Sequence, residues 1–266
     1  MNISSSLQTK YSLLRDNIAG MGSALVAYSG GVDSTFLLKT AHELLGDGVL
    51  AVTSRSPLHP EREQREAYDF CAAEKIPLIY CETDELALGG FAANRPDRCY
   101  LCRVCQFTQM WELANARGIR YVIEGTGADA DSEHRHGFRV VAEKGVRSPL
   151  REAGLTKADV RVLARHIELP DWDKPSYSCL ATRFPYGESV TREKLRMVDF
   201  AEQLLINLGF QQARVSIHGD IARIQLDTAS FERFTESNVR DTIACALQGF
   251  GFTNVTLDLK EWRPPI

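Results

Sequence analysis

Short apolar blocks alternate with polar stretches of helical spacing through the first two thirds of the chain. Residues 24–28, Ala-Leu-Val-Ala-Tyr, run apolar into Gly30 and Gly31, and 34–45 then carries helical spacing, which predicts a strand, a tight loop and a helix. Apolar runs recur at 49–53, 78–81 and 121–124, separated by helical patterns over about 60–74 and 102–117. A further helix at 156–166 has Thr156 as its N-cap and Asp159 as the partner in a capping box. Strands alternating with helices predict a parallel sheet covered on both faces. A loop rich in Pro and aromatics at 169–187 ends this pattern. After it come a helix from 191, Gly209-Phe210, two strands at 213–217 and 221–226, a helix over 231–247, Gly251-Phe252 and a last strand at 255–259. Helix, Gly-Phe, strand thus occurs twice, as expected of a small α+β domain with weak internal symmetry. The expected division is 1–172 for the parallel-sheet domain and 173–266 for the linker loop with the α+β domain.

At 266 residues the chain is long enough to bury a core without disulfides, and 44% hydrophobic with 25% charged residues excludes disordered and collagen-like classes. Lys and Arg number 31 against 35 Asp and Glu, with no basic arm, so no nucleic-acid partner is expected. No eighteen apolar residues run uninterrupted and the first residues lack a signal-peptide pattern. A cytoplasmic protein with no membrane partner is expected, whose seven cysteines are reduced thiols or ligands.

Three groups of residues carry candidate chemistry. Ser29-Gly30-Gly31-Val32-Asp33-Ser34 lies where a strand feeds a helix. Two glycines let backbone N–H groups turn inward, Ser29 and Ser34 add hydroxyls, and the helix N-terminus adds partial positive charge: a nest for a phosphate group. The loop lacks the Lys of a Walker loop, so it suits a leaving pyrophosphate, with Asp33 placed to hold Mg²⁺. The second group is Cys99-Tyr-Leu-Cys102-Arg-Val-Cys105, with Cys179 far along the chain in Ser-Tyr-Ser-Cys179-Leu-Ala-Thr-Arg183. Cys99, Cys102 and Cys179 would hold a 4Fe-4S cluster with one iron open, whereas adding Cys105 would close a zinc site or a fully ligated cluster. Cys71, Cys81 and Cys245 fit core packing. In the third group, Glu124-Gly125-Thr126-Gly127-Ala128-Asp129 follows a strand at the same sheet edge, where Asp129 is a candidate for a second metal. His134 and His136 flank Arg135 on an expected loop and make no convincing metal site.

Ser29 to Ser34 resembles the SGGxDS loop of the PP-loop ATP pyrophosphatases, adenine nucleotide alpha-hydrolase-like enzymes that couple ATP cleavage to adenylation. The stretches 145–157, 173–187 and 214–225 resemble the LarE family of ATP-dependent sulfur transferases, which serve nickel-pincer nucleotide cofactor biosynthesis. Departures from that pattern fall at Gly127, Ser216, Ile217 and Gln225. The resemblance implies ATP, Mg²⁺, a pyridinium dicarboxylate mononucleotide as substrate and a thiocarboxylate product. It implies Ser29, Gly30, Gly31, Asp33, Ser34 and Gly125 around the nucleotide, Arg183 on the α-phosphate and Arg214 on the substrate phosphate. Sulfur comes either from a sacrificial Cys179 or from a replenished 4Fe-4S cluster fed by a sulfide source, and Cys99 and Cys102 favour the cluster. A homo-oligomer, a hexamer, is implied by resemblance. The alternatives are a PP-loop tRNA thiolase, which would want a basic surface, and a non-enzymatic nucleotide-binding module with a four-cysteine zinc site.

Overall fold

The computed structural model describes residues 3–130, 135–170, 172–174 and 178–262, the side chains of 135–138 excepted. Four parallel strands, β1 (Ala24–Ala27), β2 (Val49–Arg55), β3 (Leu78–Glu82) and β4 (Val122–Glu124), form a sheet in the order β3-β2-β1-β4. Successive residues of β1 point to opposite faces, and both faces are covered. Ala24 and Val26 join a core with Leu7, Leu14 and Ile18 of α1 (Ser5–Ala19), Phe36 and Leu37 of α2 (Val32–Leu45), and Val160 and Leu163 of α7 (Lys157–His166). Leu25, with Leu50 and Val52 of β2, packs on the other side against Phe107, Met110 and Ala114 of α4 (Arg98–Ala116) and Val140 of α5 (Arg135–Glu143). The remaining helices of this part are α3 (Glu61–Glu74) and the short α6 (Pro149–Glu152). The α/β expectation therefore holds, with every strand parallel to its neighbours.

A second sheet, β5 (Ala213–His218), β6 (Ile221–Leu226) and β7 (Asn254–Leu257), packs with α8 (Arg192–Asn207), α9 (Phe231–Thr235) and α10 (Ser237–Gly249). The repeated Gly-Phe closes α8 and α10 alike. Gly209 and Gly251 take the left-handed φ values +88° and +111°, and Phe210 and Phe252 fold back into the core. This second core also takes Leu58 and Phe91 from the N-terminal stretch, so the two parts interlock.

The structure departs from the sequence reading at several points. The helix expected over 231–247 breaks at Glu236, whose extended backbone (ψ 134°) separates α9 from α10. The expected loop around Arg135 is helical from Arg135 onward, while His134 lies outside the described residues. Cys245 is exposed on α10 rather than part of the core. The capping box of α7 is present as read, with Thr156 and Asp159 each accepting from the other's backbone N–H. No helix among the described residues is long and apolar enough to cross a membrane.

Candidate active site

The loop after β1 opens a cavity of about 480 Å³ at the C-terminal edge of the parallel sheet, within the size range of small-molecule sites. Its floor is the segment singled out from the sequence. Gly30 takes φ +74°, which turns the chain back so that Gly31 caps α2, its carbonyl accepting from the Thr35 N–H and the Ser34 hydroxyl at 2.9 and 3.0 Å. The Ser29 and Ser34 hydroxyls meet at 3.0 Å across the mouth of the loop. Gly125, just after β4, closes in from the side. A Cβ there would stand 2.9 Å from the Ser34 nitrogen and 3.0 Å from its Cα, so only glycine lets the two loops approach.

Asp33, in the first turn of α2, lines this cavity. Its Oδ1 is buried with no hydrogen-bond partner. Burial pushes its carboxyl up to about 6, against the pull of Lys157 and Arg161 and with the help of Asp129 and Glu124. Glu124 is held by the Thr126 N–H at 3.2 Å and by the Thr126 and Ser148 hydroxyls. Asp129 caps the start of α7, accepting from the Lys157 N–H at 3.0 Å through its Oδ1, which occupies the carboxylate considered for a second metal. Lys157 itself lines the cavity, a cation that the capping box could have flagged because it sets the first residue of α7 at this edge.

The opposite wall comes from α4, with Gln106, Phe107 and Met110, and from the entry to α3, with His59 and Glu63. Burial pushes Glu63 up to about 7, Arg62 and Arg183 opposing, and its Oε1 is buried without a partner. Neither His59 nor Glu63 carries a local sequence signal; the fold alone brings them to the cavity.

Beyond this wall lie the cysteines. Cys99 is exposed, and Cys102 and Cys179 are partly buried against the second core, where a thiolate at Cys99 would repel one at either. Burial pushes the Cys102 thiol well up and Cys179 up to about 11. Cys105 is raised by burial and by Glu85. Among the described residues no three or more His, Cys, Asp or Glu close on a point that could hold a metal ion. Glu85, fully buried, accepts from the Thr83 hydroxyl at 2.8 Å, Gln106 Nε2 at 3.3 Å and the Cys102 thiol at 3.9 Å.

Two arginines grip the loop that carries Cys179. Arg183 is buried, its Nε and Nη2 donating to the two oxygens of Glu202 at 3.0 Å each, while Nη1 donates to Ser178 and to the Cys179 carbonyl at 3.1 Å. It does not itself line the nucleotide cavity, but its charge acts on Glu63, which does. Arg214 of β5 donates to the Thr182 carbonyl at 2.7 Å and the Ser178 hydroxyl at 3.3 Å. Burial lowers Arg214 to about 10, and Arg183 beside it adds to the effect.

A parallel sheet whose first strand ends in this serine-glycine loop, with Gly125 and an acidic residue facing it, defines an adenylating enzyme of the PP-loop ATP pyrophosphatase class. No family model matches the chain. It is 38% identical over 257 residues to an uncharacterised protein of Synechocystis, covering 97% of this chain and 96% of that one. It is 34% identical over 258 residues to the pyridinium-3,5-bisthiocarboxylic acid mononucleotide synthase of Lactiplantibacillus plantarum, covering 97% and 93%. The chain belongs to this family, the LarE group of ATP-dependent sulfurtransferases. A more distant likeness, 26% identity over 215 residues, runs to the glutamine-hydrolysing GMP synthase of Brucella ovis, over 40% of that enzyme's length.

Proposed function

We propose that the protein converts a carboxylate of a pyridinium dicarboxylate mononucleotide into a thiocarboxylate, with ATP cleaved to AMP and pyrophosphate. The observation that carries this reading is a pyrophosphate-type nest in a cavity that His59 also lines, with the adjacent Leu58 bonded to the loop bearing Cys179. The Leu58 carbonyl accepts the Leu180 N–H, one residue beyond Cys179, at 2.9 Å. The similarity to a synthase of that product supports it.

The substrate carboxylate attacks the α-phosphate while the loop from Ser29 to Ser34 receives the departing pyrophosphate, so backbone dipoles stabilise charge where it develops. Ser29, Gly30, Gly31, Ser34 and Gly125 form that receiving surface, and Lys157 adds a positive charge. The unpartnered, buried Oδ1 of Asp33 fits a divalent cation, and Asp33 would hold Mg²⁺, which supplies charge neutralisation on the phosphates. Cys99, Cys102 and Cys179, whose thiolates would interact with one another, suit a cluster whose irons each take a separate thiolate. They would hold the 4Fe-4S centre, which supplies an open iron for a sulfide to be transferred. Cys105 stands outside this set. Arg183, expected on the α-phosphate, holds the Cys179 loop. Arg214, whose hydrogen-bond partners are two hydroxyls and a carbonyl oxygen rather than carboxylates, takes the mononucleotide phosphate from the side of residues 173–266. A cytoplasmic location and a homo-oligomer belong to the same proposal, with free thiols fitting the reducing compartment.

Purified protein given Mg-ATP tests the reading. Pyrophosphate release that requires the pyridinium dicarboxylate mononucleotide supports it, and release that is indifferent to the mononucleotide contradicts it.

A further inference from the structure

His59 stands at the junction between the nucleotide cavity and the cysteines. It lines the cavity that holds the Ser29–Ser34 loop. The carbonyl of the preceding residue, Leu58, accepts the Leu180 N–H, one residue beyond Cys179. The segment is held rigid: the Leu58 N–H donates to the Ser56 hydroxyl at 3.1 Å, and Gln64 Nε2 donates to the His59 carbonyl at 3.1 Å. Glu85, which accepts from the Cys102 thiol, projects its charge onto the imidazole. The ring hydrogen-bonds the Ser54 backbone, yet Nδ1 is buried with no partner. A ring anchored through one nitrogen leaves the other as a bare acceptor. Burial holds the imidazole below its ordinary value and so favours the neutral ring, while the charge of Glu85 acts the other way.

We propose that His59 is the general base of the sulfur-transfer step, accepting at Nδ1 the proton of the incoming sulfur nucleophile. The proposal rests on the function given above and adds a residue to it. The nucleophile is a hydrosulfide, and its sulfur bonds to the acyl carbon of the adenylate to give a tetrahedral intermediate still carrying the S–H proton. In that state sulfur and AMP compete to leave. Transfer of the proton to Nδ1 makes sulfur the poorer leaving group, so the C–O bond to AMP breaks and the thiocarboxylate forms. The imidazolium then returns its proton to water. Glu85, held by Ser56, Thr83 and Gln106, stabilises the imidazolium while it lasts, as a buried carboxylate orients and supports a histidine base elsewhere. The other charged groups facing this space are Glu63 from α3, Arg103 from α4, and Asp33, Glu124 and Lys157 across the cavity.

The test uses anaerobically purified holoenzyme and its His59→Gln and His59→Asn variants. Each is mixed with Mg-ATP and the mononucleotide, pyrophosphate release is measured, and sodium hydrosulfide is then added and thiocarboxylate followed through one turnover from pH 5 to 8. At neutral pH the variants lose about 10²- to 10⁴-fold more in thiocarboxylate formation than in pyrophosphate release. The ratio of wild-type to variant transfer rate cancels the ionisation of the sulfide and of groups common to both proteins. It falls toward one over any part of that range in which His59 takes a proton. Equal loss in both half-reactions overturns the role of His59 while leaving the function standing. A wild-type protein that releases no pyrophosphate overturns the function and this role with it.

Discussion

Replacing Arg183 by methionine separates two roles that an arginine in this position could have. In the structure Arg183 is 5% exposed and Glu202 2% exposed, joined by two parallel hydrogen bonds of 3.0 Å. Removing one partner of a buried pair costs about 3–5 kcal/mol, because the other charge is left without compensation. Glu202 retains Arg62 at 3.4 Å and the Val215 N–H at 3.1 Å, which sets the expected loss at the low end, about 3 kcal/mol. For a chain of this size that corresponds to a fall in Tm of roughly 6–12 °C. The double variant Arg183→Met with Glu202→Leu buries neither charge, and it recovers much of the loss, so the two single effects do not add. Urea unfolding of the wild type, both single variants and the double variant measures each term. A single variant destabilised by less than about 1 kcal/mol, yet unable to release pyrophosphate, would refute the structural role and return Arg183 to the phosphate.

Asp33→Asn abolishes most pyrophosphate release yet raises thermal stability at pH 7. Its folded pKa of about 6 lies above the ordinary 3.8, so ionisation penalises the native state progressively as pH rises from about 4 to 6. The neutral amide removes a penalty on the order of 2 kcal/mol above that window, and an unchanged or lower Tm in the variant contradicts the burial argument. Gly125→Ala forces a Cβ against the Ser34 backbone and weakens ATP binding at least about tenfold with the fold retained, measured by calorimetric titration; affinity equal to wild type contradicts the packing of the two loops. Cys105→Ala keeps the iron content and cluster absorbance of the wild type under anaerobic purification, whereas Ala at Cys99, Cys102 or Cys179 loses them; equal loss in all four indicates a four-thiolate centre.

The parallel sheet was readable because β1, β2 and β4 are buried on both faces, so each appears as a continuous apolar run between helical patterns. The phosphate nest was readable because its chemistry is local: six consecutive residues carry the glycines, the hydroxyls and the acid. What lay hidden depends on distant pairs. Arg183 meets Glu202 on α8, and Glu85 meets Cys102 on α4, and nothing in either residue's neighbourhood announces the partner. His59 is an unremarkable residue before Pro60 until Leu58 docks in the second core and turns it toward the nucleotide. The N-terminal helix α1 places Leu7, Tyr11, Leu14 and Ile18 on one buried face, a spacing present in a stretch that the sequence reading used only for targeting signals. The break at Glu236 escaped for a different reason: the residues on either side of it keep helical spacing, and the interruption is a single extended backbone.

The central claim is that ATP cleavage is coupled to sulfur transfer at one site. Protein purified anaerobically and supplied with Mg-ATP, pyridinium dicarboxylate mononucleotide and isotopically labelled hydrosulfide reports on it directly, with the mononucleotide analysed by mass spectrometry beside the nucleotide products. The account predicts label in a thiocarboxylate of the mononucleotide, with one AMP and one pyrophosphate formed for each sulfur gained. ADP and orthophosphate as products, or AMP formed with no sulfur entering the mononucleotide, would contradict it.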